Sequence, residues 1–217
     1  MQQSTSLYLT QLELGPMQNF VYLLGDPATR EAAVIDPGWE IATILETLRR
    51  DDYRLRHIFV THTHFDHVGG VAPLVEQTDA QVHVHAAEAA RLAVEPGNVV
   101  PVDSGGEVLV GRLPVTCIHT PGHTPGSQCV YVDGKLLSGD TLFIQGCGRC
   151  DLPGGDAAEL YRSLTQRLRR LDDQTVLYPG HHYAAASVST LGRERRANPF
   201  LQAPSLRDFL SMVGVGS

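Results

Sequence analysis

Apolar positions along the chain alternate between period-two runs and helical spacing. Leu7–Leu14, Phe20–Leu24 and Ala32–Ile35 read as strands, with a turn at Gly15-Pro16 and a stop at Asp36-Pro37-Gly38. From Trp39 to Arg50, apolar residues at Ile41, Ile44, Leu45 and Leu48 fit one face of a helix. Arg56–Val60 is a strand that runs into Thr61-His62-Thr63-His64, and Val68–Gln77 a helix whose start is weakened by Gly69, Gly70 and Pro73. Gln81–His85 reads as strand and Ala86–Val94 as helix. Val108–Leu137 is strand-rich, with a hairpin signal at Asp133-Gly134 between Gln128–Val132 and Lys135–Ser138. Asp156–Leu171 carries an N-cap aspartate and Glu159 at the capping-box position; Val176–Tyr178 is a last strand, and a helix covers about Ser187–Arg196. Strands followed by helices, twice over, predict an α/β fold with two sheets face to face and helices outside.

Composition narrows the class. A chain of 217 residues, 42% hydrophobic, can bury a real core as a single domain, spanning 1–217 with a short helical tail from about residue 187. A net charge of −7 argues against a nucleic-acid partner, and apolar runs as short as Val108–Val110 against a membrane span. The first ten residues lack a basic segment followed by an apolar run, so the expected compartment is the cytoplasm. The four cysteines are then expected as free thiols, Cys117 and Cys129 in the core and Cys147-x-x-Cys150 on a glycine-rich turn. Homodimers are common on base rates, and the sequence adds nothing beyond that for this chain.

Ten histidines are the unusual count. In Thr61-His62-Thr63-His64-Phe65-Asp66-His67, four metal-binding side chains follow one strand. Alternate residues of an extended segment point the same way, so His62 and His64 can share a metal, with Asp66 and His67 displaced toward a second position. His123, Asp140 and His181 each follow a strand at a glycine-containing turn, giving seven ligands for two ions. Imidazole with few carboxylates suits zinc and its neighbours, iron and manganese included.

That ordered pattern, His62-x-His64-x-Asp66-His67, then His123, Asp140 and His181, resembles the metallo-β-lactamase superfamily over about Leu7 to Phe200. The resemblance implies an αββα sandwich with two divalent metal ions at one edge. His62, His64 and His123 would hold the first; Asp66, His67 and His181 the second; Asp140 would bridge them, with Asp66, His67 and Asp140 at the reacting centre. Thr61–Gly70, Pro121–Ser127, Ser138–Phe143, the Gly146-Cys147-Gly148-Arg149 turn and Leu191–Pro199 are similar to glyoxalase II-like hydrolases. This implies cleavage of a small-molecule thioester, S-acylglutathione-type, by a metal-bridging hydroxide. Arg149 stands where those enzymes carry lysine and Asp151 where they carry tyrosine, and the longer basic C-terminal region of glyoxalase II has no counterpart here, so specificity is expected to differ. Arg149 and Tyr183 are the candidate substrate contacts. Thiolate is a good leaving group near neutral pH, which favours a thioester over an amide. The chain also resembles persulfide dioxygenases, which would use one iron on His62, His123 and Asp140 and act on glutathione persulfide; Phe65 and Pro125-Gly126-Ser127 favour the hydrolase. His57, His83, His85, His119, His182 and Trp39 are read as packing or solvent-facing residues.

Overall fold

The computed structural model describes residues 7–214; part of the N-terminal segment read for a targeting signal, and the last residues of the tail, lie outside that range. Two six-stranded sheets form the body. The first has the order β1 (Tyr8–Leu14), β2 (Asn19–Asp26), β3 (Glu31–Ile35), β4 (Arg54–Phe59), β5 (Gln81–His85), β6 (Val99–Val102). Its β1–β2–β3 half is antiparallel and its β3–β4–β5–β6 half parallel, the latter requiring crossovers. These are supplied by α1 (Ile41–Arg50), α2 (Phe65–Val68) with α3 (Val71–Thr78), and α4 (Ala86–Ala89). The second sheet contains β7 (Glu107–Val110), β8 (Leu113–His119), β9 (Gln128–Val132), β10 (Lys135–Leu137), β13 (Val176–Tyr178) and β14 (Ser189–Thr190), in the order β14-β13-β10-β9-β8-β7. A small ribbon, β11 (Leu142–Phe143) with β12 (Gly146–Cys147), follows β10.

Alternation along the strands builds three layers of core. On β2, Phe20, Tyr22 and Leu24 face the second sheet, while Val21 and Leu23 face α1 and α3. On β10, Leu137 faces inward, and Leu136 packs outward with Leu160, Leu164 and Phe209. Those last residues come from α5 (Ala157–Arg162), its continuation and α7 (Leu206–Met212), so helices close both outer faces as expected. In β4, Ala32 pairs with Leu55 but Ala33 with His57, which leaves Arg56 as a bulge. The bulge explains why Leu55 and Ile58, three apart, both face the outer core.

Several elements differ from expectation. The helix read over Val68–Gln77 starts at Val71 as α3, and Gly69-Gly70, where a Cβ would meet Gly38 O at 2.7 Å and Pro37 O at 2.4 Å, separates it from the short α2 before it. The helix read over Ala86–Val94 stops at Ala89. Asp156 does cap α5, accepting from the Glu159 amide at 2.9 Å. Glu159, however, pairs forward with Arg162 and Arg167 instead of closing a capping box, and the segment loosens to a π winding over Ser163–Arg167 and tightens over Leu168–Arg170. The helix read over Ser187–Arg196 begins later, as α6 (Leu191–Ala197), after β14 and with Thr190 as its cap. Strands β6, β11, β12 and β14 had no clear sequence signal, whereas α7 falls within the helical tail expected from about residue 187. No helix among the described residues is long and apolar enough to cross a membrane.

Candidate metal centre

β8 and β10 are each antiparallel to β9, and β13 is parallel to β10, so these three strands end on one edge. The loops there deliver His123, Asp140 and His181, and the segment after β4 delivers His62, His64, Asp66 and His67. All seven sequence candidates meet at this edge, in two clusters. His123 Nε2 lies 3.2 Å from His62 Nε2 and 2.9 Å from His64 Nδ1. His67 Nε2 lies 3.2 Å from His181 Nε2, and Asp66 Oδ2 is 3.4 and 3.5 Å from those two nitrogens. Asp140 stands between the clusters, with Oδ1 3.4 Å from His67 and Oδ2 3.6 Å from His123 and 3.4 Å from His181.

The opposite edge of four rings is tied down, and this sets which nitrogen faces inward. His123 Nδ1–H donates to Arg149 O at 2.6 Å and His181 Nδ1–H to Met17 O at 2.9 Å. His67 Nδ1–H donates to Asp36 Oδ2 at 2.9 Å. His62 Nδ1–H donates to Thr61 Oγ1 at 3.1 Å, and that hydroxyl in turn donates to Asp36 Oδ2 at 2.6 Å. The inward nitrogens of His62 and His123 are then facing lone pairs, and the inward nitrogen of His67, whose ring the neighbouring carboxylates hold positive, meets that of His181. Facing lone pairs about 3 Å apart repel unless a positive charge sits between them. Asp140 Oδ1 is buried without a hydrogen-bond partner. An orphaned carboxylate oxygen among converging imidazole nitrogens fits divalent metal ions, one in each cluster. Asp36 also lies within ligand distance of His62 and His67, but its carboxylate is engaged by Thr61 and His67 and works as an orienting base.

Electrostatics agree. Burial pushes His62 well below the usual histidine value, helped by His67, and lowers His64. Burial also opposes charge on His67, yet Asp140 and Asp36 outweigh it and bring that ring up to about 9. His181 is raised by Asp140 against the same burial penalty. Burial would raise Asp140, but His67, His181 and His62 hold it far below the usual carboxylate range. The site is built to hold positive charge.

Sequence reasoning missed the supports behind the seven residues. Asn19 donates to Asp66 Oδ2 at 2.9 Å and to Asp66 O at 3.2 Å. Trp39, read as a packing residue, donates from Nε1 to Asn19 Oδ1 at 2.9 Å. Glu88, fully buried, accepts from Thr63 and from the Gly126 amide, joining the His62–His64 segment to the His123 loop. Gly38 permits the close approach of the Asp36 turn, because a Cβ there would lie 1.7 Å from Asp66 O. Arg149 is adjacent through its carbonyl, whereas its guanidinium is already bidentate to Asp151. Tyr183 stacks on His181 with centroids 4.6 Å apart. His85 stacks on His119, and His182 is half-buried against Glu13.

Fold and site together define a metallo-hydrolase architecture, and the chain belongs to the metallo-beta-lactamase superfamily, whose family model matches residues 14–181. Members of this superfamily bind divalent metals and are mostly enzymes. The chain is 33% identical to "Probable polyketide biosynthesis zinc-dependent hydrolase PksB" of Bacillus subtilis over 76% of its own length and 73% of that protein. It is 40% identical to a hydroxyacylglutathione hydrolase of Anaeromyxobacter dehalogenans over 79% of this chain and 64% of that one. Among solved structures, ETHE1 from Myxococcus xanthus superposes with a TM-score of 0.88 at 35% identity, covering 95% of this chain and 90% of its own.

Proposed function

We propose that the protein is a dinuclear metal-dependent hydrolase of small-molecule thioesters. His62, His64 and His123 hold one ion, Asp66, His67 and His181 the other, and Asp140 serves both. The observation that carries this reading is the completeness of the second cluster. Asp66, His67 and His181 are buried, with ligand atoms within 4.8 Å of one another, a second ligand set beside that of His62, His64 and His123. Bound divalent ions supply Lewis acidity and bring the pKa of water to near neutral. The 40% identity to a hydroxyacylglutathione hydrolase supports a thioester of glutathione or a similar thiol as substrate.

The chain's own residues orient the reaction. Asn19 donates to Asp66 Oδ2 and to the Asp66 carbonyl, which fixes the carboxylate toward His67 and His181. Asp36 fixes His67 and, through Thr61, His62, so the inward nitrogens do not turn as charge develops. The departing sulfur leaves as thiolate, and no buried general acid is required. For Arg149 to receive a carrier carboxylate, it must exchange Asp151 for it.

The test is release of free thiol from S-lactoylglutathione and S-acetylglutathione by protein loaded with zinc, iron or manganese. Thiol release by wild type, lost in Asp140→Ala with the fold retained, is expected. Oxygen uptake with glutathione persulfide, without thiol release from either thioester, would establish the second reading instead. That reading is favoured by the likeness to ETHE1 and would use His62, His123 and Asp140 on one iron.

A further inference from the structure

Six large apolar side chains are exposed among the described residues, and three of them belong to residues that border the second cluster. Phe65, 67% exposed, lies between His64 and Asp66 at the start of α2. Tyr183, 57% exposed, stacks on His181 with its ring plane tilted only 10°. Met17, 39% exposed, sits on the β1–β2 turn, where its carbonyl accepts from His181. Two further rings brace this rim: Trp39 meets Phe65 edge-on at 6.2 Å, and Phe143 meets Tyr183 edge-on at 5.4 Å. Singly exposed apolar residues are ordinary, but a set converging on a candidate reaction centre marks a binding surface.

We propose that Met17, Phe65 and Tyr183 form a platform for the acyl group of the substrate, and that this group is apolar, a medium-length chain or an aryl group. The inference rests on the thioester reading and specifies its acyl half. Tyr183 touches the cluster through His181, Phe65 adjoins Asp66 in the chain and rests on Trp39, and the Met17 backbone holds His181, so the three residues border the Asp66–His67–His181 cluster on three separate segments. Braced aromatic rings lose little freedom on contact and offer broad apolar area. An acyl chain laid on this surface loses water from both partners, which strengthens binding by about twofold to fourfold per methylene covered. A two- or three-carbon hydroxyacyl group has little such surface to cover.

The experiment is calorimetric titration of metal-loaded protein with straight-chain carboxylates, the hydrolysis products, from acetate to hexanoate. It is paired with kcat/KM for S-acetyl and S-hexanoyl thioesters of one carrier. Hexanoate is expected to bind at least about tenfold tighter than acetate, with kcat/KM following. Phe65→Ala and Tyr183→Ala are expected to reduce that ratio to near one, and Phe65→Leu to restore most of it. A flat series in wild type, or a hexanoate preference that survives both alanine variants, would overturn the platform. Chain-length-dependent carboxylate binding with no turnover of any thioester would uphold the platform and sink the thioester reading instead; thioester turnover with no chain-length dependence would do the reverse.

Discussion

The seven residues that meet at the sheet edge were legible in the sequence because each announces itself locally. His62 and His64 alternate after an apolar run; His123, Asp140 and His181 sit at glycine turns. Their supports were not legible, because each is a lone polar residue whose partner is distant in sequence. Asp36 and Thr61 are 25 residues apart, Asn19 and Asp66 47, and Glu88 and Thr63 25. The one available hint was a charged residue closing the apolar strand Ala32–Ile35. Asp36→Asn keeps the shape but weakens the hold on His67 and His62, so metal affinity is expected to fall about 10–100-fold. Competition with a chromophoric chelator measures this, and unchanged affinity would remove Asp36 from the account. A second residue-scale prediction concerns His83, buried beside His57, with its Nδ1 unpartnered. Burial, then His57, brings His83 down to about 4 from 6.5. Between those values the unfolded chain binds the proton that the folded chain refuses. His83 therefore takes nothing from stability above pH 6.5, and costs up to about 1.4 kcal/mol per pH unit as pH falls toward 4. His83→Leu should flatten that part of the acid slope in urea unfolding; an identical slope in both proteins would contradict it.

Elements were read well where the period was clear, as in β5 and α1, or a cap was present, as at the start of α5. They were misread where tertiary packing sets the boundary. The helix expected from Val68 starts at Val71 because the Asp36–Gly38 turn needs the space at Gly69-Gly70, and the separate turn α2 before it carries Asp66 and His67 at the site. The short edge elements β6 and β14 depend on neighbours that no local pattern reveals. Between elements, the carboxylate of Glu88 is the tie from α4 to both loops of the first cluster. Glu88→Gln can keep one of these links but not the same set of acceptors. Occupancy of the His62–His64–His123 position is expected to fall before that of the other. Stepwise metal titration followed by cobalt absorption measures it, and equal weakening of both positions would contradict the assignment.

At the scale of the molecule, the site exists because two sheets present strand ends on a common edge, so whatever holds the sheets together also holds the seven converging side chains. Beyond the shared core, a buried carboxylate links them. Asp26, at the end of β2, accepts from Arg112 N and Nε, both at 3.0 Å, and from Nη2 at 3.1 Å, on the turn between β7 and β8. Arg112→Ala leaves that buried carboxylate short of two donors and should lower the urea midpoint; no shift would show the link to be dispensable. The central claim, a two-ion hydrolase, is tested most directly by metal content. Protein purified without oxygen or chelator and measured by elemental mass spectrometry should carry about two divalent ions per chain, zinc-rich or mixed. A single iron per chain, with the Asp66–His67–His181 position bare, would contradict it.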